Sequence, residues 1–106
     1  MTNQDKILIT DLKKIILGKF GETISGIFCF GSRVSKNRVD SDFDILVITS
    51  LKTDWEQEYQ ISKSIVHFGI AHDIVFDIQF MSKNEFEVDF NFHPFVQSVK
   101  ATGLYL

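Results

Sequence analysis

Two aspartates, Asp42 and Asp44, stand at the start of the apolar run Ile45-Leu46-Val47-Ile48. A short run this rich in β-branched residues reads as a strand covered on both faces. Its carboxylates must therefore lie at a rim of the sheet, with the core behind them. Strand side chains alternate, so Asp42 and Asp44 share a face with their α-carbons about 6.5 Å apart. Two acids that close repel each other unless a cation sits between them. Mg²⁺, which prefers carboxylate oxygens and completes its shell with water and substrate phosphates, meets that need. A second apolar run, Ile24 to Phe30, ends upstream on Gly31-Ser32. Gly31 lets the backbone approach a phosphate closely, and turn N–H groups with the Ser32 hydroxyl can donate to its oxygens. The stretch from Gly31 to Asp44 thus reads as a phosphate turn followed by a metal site.

The remaining segments supply a scaffold. Leu8, Leu12, Ile15 and Ile16 recur at helical spacing, with Asp5, Lys6, Asp11, Lys13 and Lys14 largely on the other side, and Gly18 or Gly21 ends that helix. Thr53-Asp54-Trp55-Glu56 reads as a capping box that opens a second helix, stopped by Gly69. This helix rows up Trp55, Tyr59, Ser62 and Val66 beside Ile61, Ile65 and Phe68. Trp55 and Tyr59 read as core residues, the alternative being a platform for a nucleobase. Ile74 to Phe80 is a third strand, with Asp73, Val75, Asp77 and Gln79 on one face. Ser82-Lys83-Asn84-Glu85 is another capping box. Pro94 suits the first turn of a last helix carrying Phe95, Val96 and Val99, which Gly103 ends.

At 106 residues the chain has room for a single domain spanning 1–106. Hydrophobic residues at 44% and charged residues at 24% are those of a soluble globular protein. No apolar run reaches the ~18 residues of a membrane span, and no signal peptide precedes the first helix, so a cytoplasmic location is expected. A net charge of −3 with scattered basic residues disfavours a nucleic-acid substrate, which calls for a basic stripe. The one cysteine, Cys29, lies in an apolar strand and reads as a buried, inert thiol. No His/Cys cluster suggests zinc.

Gly31-Ser32, nine residues, then Asp42-x-Asp44 on a strand resembles the signature of the DNA polymerase β-like nucleotidyltransferase superfamily in its minimal, stand-alone form. Asp77 stands where that family keeps its third carboxylate, and the tail from Pro94 to Tyr105 resembles its closing helix and short exit. The resemblance covers roughly residues 20 to 106. It implies an α/β fold with a small mixed sheet of three or four strands and helices packed on one face. It implies transfer of a nucleoside monophosphate, AMP from ATP, to an acceptor hydroxyl. Asp42 and Asp44 would bridge two Mg²⁺ ions, one of them shared with Asp77, which could also take the acceptor's proton. Asp77 is chosen over Asp73 because it lies inside the strand, where a charge needs a partner.

Gly31, Ser32 and Arg33 are assigned to the β- and γ-phosphates, Arg33 being preferred to Arg38 because it sits in the turn. The acceptor is expected on a partner, since relatives that modify antibiotics or extend RNA carry further domains. Minimal members typically pair with a small helical protein of the HEPN type, as an antitoxin that adenylylates its toxin. The late phenylalanines, Phe86, Phe90, Phe92 and Phe95, fit an interface for such a partner. Two other readings are transfer to a small molecule such as an aminoglycoside, and a non-catalytic module that binds nucleotide or masks its partner.

Overall fold

The computed structural model describes residues 1–35 and 42–106. Helix α1 (Asn3–Phe20) leads through a tight turn (Gly21–Thr23) to β1 (Ile24–Phe30), and a single helical turn, α2 (Ser32–Ser35), follows. After β2 (Phe43–Thr49) come α3 (Trp55–His72), β3 (Phe76–Ser82), a π-helical turn (Glu85–Asp89), α4 (Pro94–Thr102) and β4 (Leu104–Tyr105). The four strands form one mixed sheet in the order β3-β2-β1-β4, with β2 and β3 parallel and the other pairs antiparallel. As a result, the end of β1 and the starts of β2 and β3 lie at the same rim. A bulge between Ile24 and Gly26 shifts the β1 register, so that Ile27 and Cys29 face one side and Phe28 and Phe30 the other.

Strand alternation divides the core. Ile45 and Val47 of β2 pack with Leu12 and Ile16 of α1 and Ile61, Ile65 and Phe68 of α3. Leu46 and Ile48 point the other way, to Phe86 of the π-helical turn and to Val96 and Val99 of α4. The two long helices thus share one face, as expected, and the short C-terminal elements cover the other. That arrangement accounts for β2 being apolar from Ile45 to Ile48: it is the central strand of the part of the sheet covered on both faces.

Several local expectations change. The inward row of α1 is Asp5, Ile9, Leu12 and Ile16, while Ile15 is exposed. Asp5 belongs to that row because it closes a capping box with Thr2 and meets a cation from across the fold. Helix α3 is capped by Asp54 with Gln57, one residue after the expected Thr53, whose hydroxyl donates instead to Glu58. Gly69 does not stop α3. The helix continues to His72 and ends where Asp73 adopts a left-handed conformation, φ 57°. Gly69 serves packing, since a Cβ there would lie 2.5 Å from the Ile74 carbonyl oxygen. Trp55 and Tyr59 are not core residues: they are 77% and 56% exposed, because α3 turns Ile61, Ile65 and Phe68 toward the sheet. The Ser82–Glu85 box is present in both directions.

Candidate active site

Strand register assembles the acids. Asp44 of β2 lies opposite Phe30 of β1 on one side and opposite Asp77 of β3 on the other. Asp42 precedes β2 by one residue and is exposed, Asp44 is half-buried, and Asp77 is exposed. Asp73, the other candidate for the third acid, is instead the left-handed cap of α3. Alternation directs Asp44 and Asp77 to the face that carries α4, beside Phe30, whose ring packs edge-on against Phe95 at 5.2 Å.

The electrostatics of the pair are those of two carboxylates held too close. Burial pushes the Asp44 carboxyl above its usual range, and the charge of Asp77, a hydrogen bond shared with it, and the charge of Asp42 push it further the same way. Among the described residues no three His, Cys, Asp or Glu side chains stand close enough to cage a metal ion. Asp44 and Asp77 converge, and Asp42 acts on Asp44 through its charge. An all-carboxylate donor set with this mutual repulsion fits a hard divalent cation such as Mg²⁺, which takes few protein ligands and fills its shell from water and phosphate.

Gly31 joins β1 to this site. Its φ of +84° lies in the region that side chains disfavour, and a Cβ there would overlap the Asp44 carboxylate. The turn is closed by a hydrogen bond from the Val34 N–H to the Gly31 carbonyl, 3.1 Å. Ser32 follows, half-buried, as the first residue of α2. The glycine is thus required twice, for its backbone angle and for the close approach of an acid.

Arg33 makes an ion pair that the sequence does not announce. Its guanidinium donates to the Asp5 carboxylate at 3.1 Å, with the two side chains 14% and 11% exposed, and it lies over the Phe43 ring, 4.1 Å from the centroid. Phe43 precedes Asp44 and therefore faces the opposite side of the sheet, so Arg33 reaches under the rim to α1 and away from the acids. Burial raises the Asp5 carboxyl, but the hydrogen bonds and charge of Arg33, with the Thr2 contacts, outweigh it and hold the group below its usual range. This ion pair ties the Gly31-Ser32 turn to the start of α1. Asp5 was not legible as its partner, because the two residues are 28 apart in the chain. Arg38, the alternative phosphate contact, lies outside the described residues.

Next to Asp77 a hollow of about 270 Å³ is lined by Gln79, Met81, Phe90, His93 and Phe95. Gln79, two residues along β3 on the same face, and the late phenylalanines Phe90 and Phe95 were the sequence signals for it. A larger hollow of about 400 Å³, around Ser50, Lys52, Thr53 and Gln57, lies at the opposite rim, away from the acids.

The chain matches the Polymerase beta, Nucleotidyltransferase family over residues 11–93, and it belongs to that family. Solved structures show the same fold. A chain of a mutant of the toxin–antitoxin MntA-HpeT aligns over 100% of this chain and 72% of its own length, at TM-score 0.58 and 21% identity. A chain from a toxin–antitoxin crystallised with AMP-PNP aligns over 90% and 69%, at TM-score 0.61 and 18% identity. One from the toxin–antitoxin MntA-HepT aligns over 91% and 68%, at TM-score 0.53 and 18% identity. No curated protein matches the chain significantly. Among the described residues no helix is long and apolar enough to cross a membrane.

Proposed function

We propose that this chain transfers AMP from ATP to a hydroxyl group on a partner protein, a small helical toxin of the HEPN type, and so acts as its antitoxin. The observation that carries the reading is the Asp44–Asp77 pair, set in register on neighbouring parallel strands beside a glycine turn. Family membership supports nucleotidyl transfer. The likeness in fold to chains of toxin–antitoxin structures, one of them crystallised with AMP-PNP, supports the partner and the nucleotide. Exposed Val88, Phe90 and Phe92 next to the hollow beside Asp77 support docking of a macromolecule at this rim.

Asp42, Asp44 and Asp77 would hold Mg²⁺, which when bound offsets the charge of the triphosphate and lowers the pKa of the acceptor hydroxyl. Backbone N–H groups of the Gly31 turn and the Ser32 hydroxyl hold the β- and γ-phosphates at the β1 side of the rim. Arg33 keeps that turn in place through Asp5. With pyrophosphate leaving toward β1, an in-line displacement brings the attacking hydroxyl in from the β3 side. The acceptor oxygen bonds to the α-phosphorus as the bond to the bridging oxygen breaks, and Asp77 accepts the hydroxyl proton. Asp77 is exposed, so an acceptor carried on another protein can reach it.

Incubation with Mg²⁺, ATP labelled at the α-phosphate and a lysate of the host tests the reading, beside an Asp42→Asn/Asp44→Asn control. Label on a protein band only with the intact acids is the expected result. Equal labelling by the control would remove the acids from the chemistry. Label on small molecules alone would move the acceptor to a compound of the aminoglycoside kind.

A further inference from the structure

The geometry points to a second copy of this chain as the occupant of one side of the molecule, formed by the outer edge of β3 and the exposed flank of α3. On α3, Trp55, Tyr59, Val66 and Ile70 are all exposed, Trp55 to 77% and Ile70 to 73%. At 100° per residue they fall within one narrow stripe about 22 Å long. The stripe does not face α1, which meets α3 on another side through the Lys19–Ser64 hydrogen bond. It faces outward on the β3 side.

The strand below is equally unprotected. β3 is an edge of the sheet, seven residues long, and among the described residues its backbone pairs with β2 alone apart from the Ser82 N–H, which donates to Glu85. Exposed edges are ordinarily blunted by shortness, lysine, proline or a bulge. The opposite edge follows that rule, β4 being two residues long. The β3 sequence Phe-Asp-Ile-Gln-Phe-Met-Ser has no lysine, proline or bulge, and its single charge, Asp77, stands at the rim.

Both features pair with themselves about one two-fold axis. In an antiparallel arrangement of α3 with its copy, large Trp55 meets the smaller Ile70, and Tyr59 meets Val66, about a centre near residues 62–63. The solvent margin of the stripe carries Glu56 near its start and Lys63 and His67 further on. An antiparallel copy therefore brings Glu56 of one margin toward His67 of the other, while Lys63 lies beside its own copy near the centre. The same axis serves β3. The centre of α3 lies about 14 Å from its last residue and Gln79, the middle of β3, about 10 Å from its first, at the end of the sheet where α3 hands over to β3. Antiparallel β3 pairing thus gives a continuous eight-stranded sheet with the two α3 helices side by side, an isologous interface in which one patch meets itself. The two acidic rims come to lie at opposite ends of the joined sheet, and each remains open.

Light scattering on the purified chain tests this, together with the emission of Trp55, the single tryptophan. The expected mass is twice 12.2 kDa, with a blue shift of the emission as concentration rises. Tyr59→Lys and Ile70→Lys, both at exposed positions, should each weaken association at least about tenfold without changing the melting temperature of the monomer. Glu56→Lys should weaken it and Glu56→Lys/His67→Glu should restore it. A chain that stays at 12.2 kDa with water-exposed emission at every concentration overturns the proposal. So does a dimer that tolerates both lysine variants.

Discussion

Gly31→Ala is the substitution on which the construction of the site depends most directly. Two costs add. At φ +84° an alanine is held in a left-handed region, which for residues with a Cβ costs roughly 1–2 kcal/mol. The new methyl also overlaps the Asp44 carboxylate, so that side chain must leave its rotamer well at about 0.5–1.5 kcal/mol. Together they destabilise the fold by about 2–3 kcal/mol, and for a domain of this size the thermal midpoint should fall by about 8–15 °C. The metal response separates this from an ordinary turn defect. Mg²⁺ should raise the wild-type midpoint by mass action and raise the variant's by much less, because the displaced Asp44 no longer converges with Asp77. Thermal melts followed by circular dichroism, with and without Mg²⁺, read both quantities. A variant that melts within a degree or two of wild type and keeps the full Mg²⁺ shift would refute the reasoning.

Other perturbations test other parts of the structure. Asp44 has a raised pKa, so the metal-free fold binds its proton more tightly than the unfolded chain does; the stability this confers is present at low pH and is lost as pH rises through the raised value. Asp44→Asn should accordingly flatten the acid-to-neutral decline in metal-free melts and abolish the Mg²⁺ shift; a steeper decline in the variant would reverse the assigned sign. Asp5 behaves oppositely, its lowered pKa giving stability that is present above the ordinary carboxylate range and lost as pH falls through the lowered value. Arg33→Ala should cost about 3 kcal/mol in urea unfolding by leaving Asp5 buried without its cation, and a loss below 1 kcal/mol would dismiss the ion pair as the anchor of the turn. Burial, and then the charge of Asp44, push the Cys29 thiol up to about 12. Thiol-specific reagents should therefore modify the native protein orders of magnitude more slowly than the urea-unfolded chain, and rapid native labelling would contradict the packing of β1.

Local periodicity was sufficient for much of this protein. The unbroken apolar run from Ile45 to Ile48 implies a strand covered on both faces. Its first residues, Asp42 and Asp44, then have to lie at a rim, whatever the rest of the chain does. The Ser82–Glu85 cap, Pro94 opening the last helix and the buried Cys29 are also short-range consequences of residue type. What tertiary structure decided is wherever two distant segments meet. Only the parallel register of β2 with β3 places Asp77 beside Asp44 and leaves Asp73 to end α3. Only the packing of α1 below the rim gives Arg33 a buried carboxylate, drawing its guanidinium to the face opposite the acids. The orientation of α3, which exposes Trp55 and Tyr59, has the same origin. Helical spacing defines which side chains share a stripe, but which stripe turns inward depends on what the rest of the fold offers to cover it.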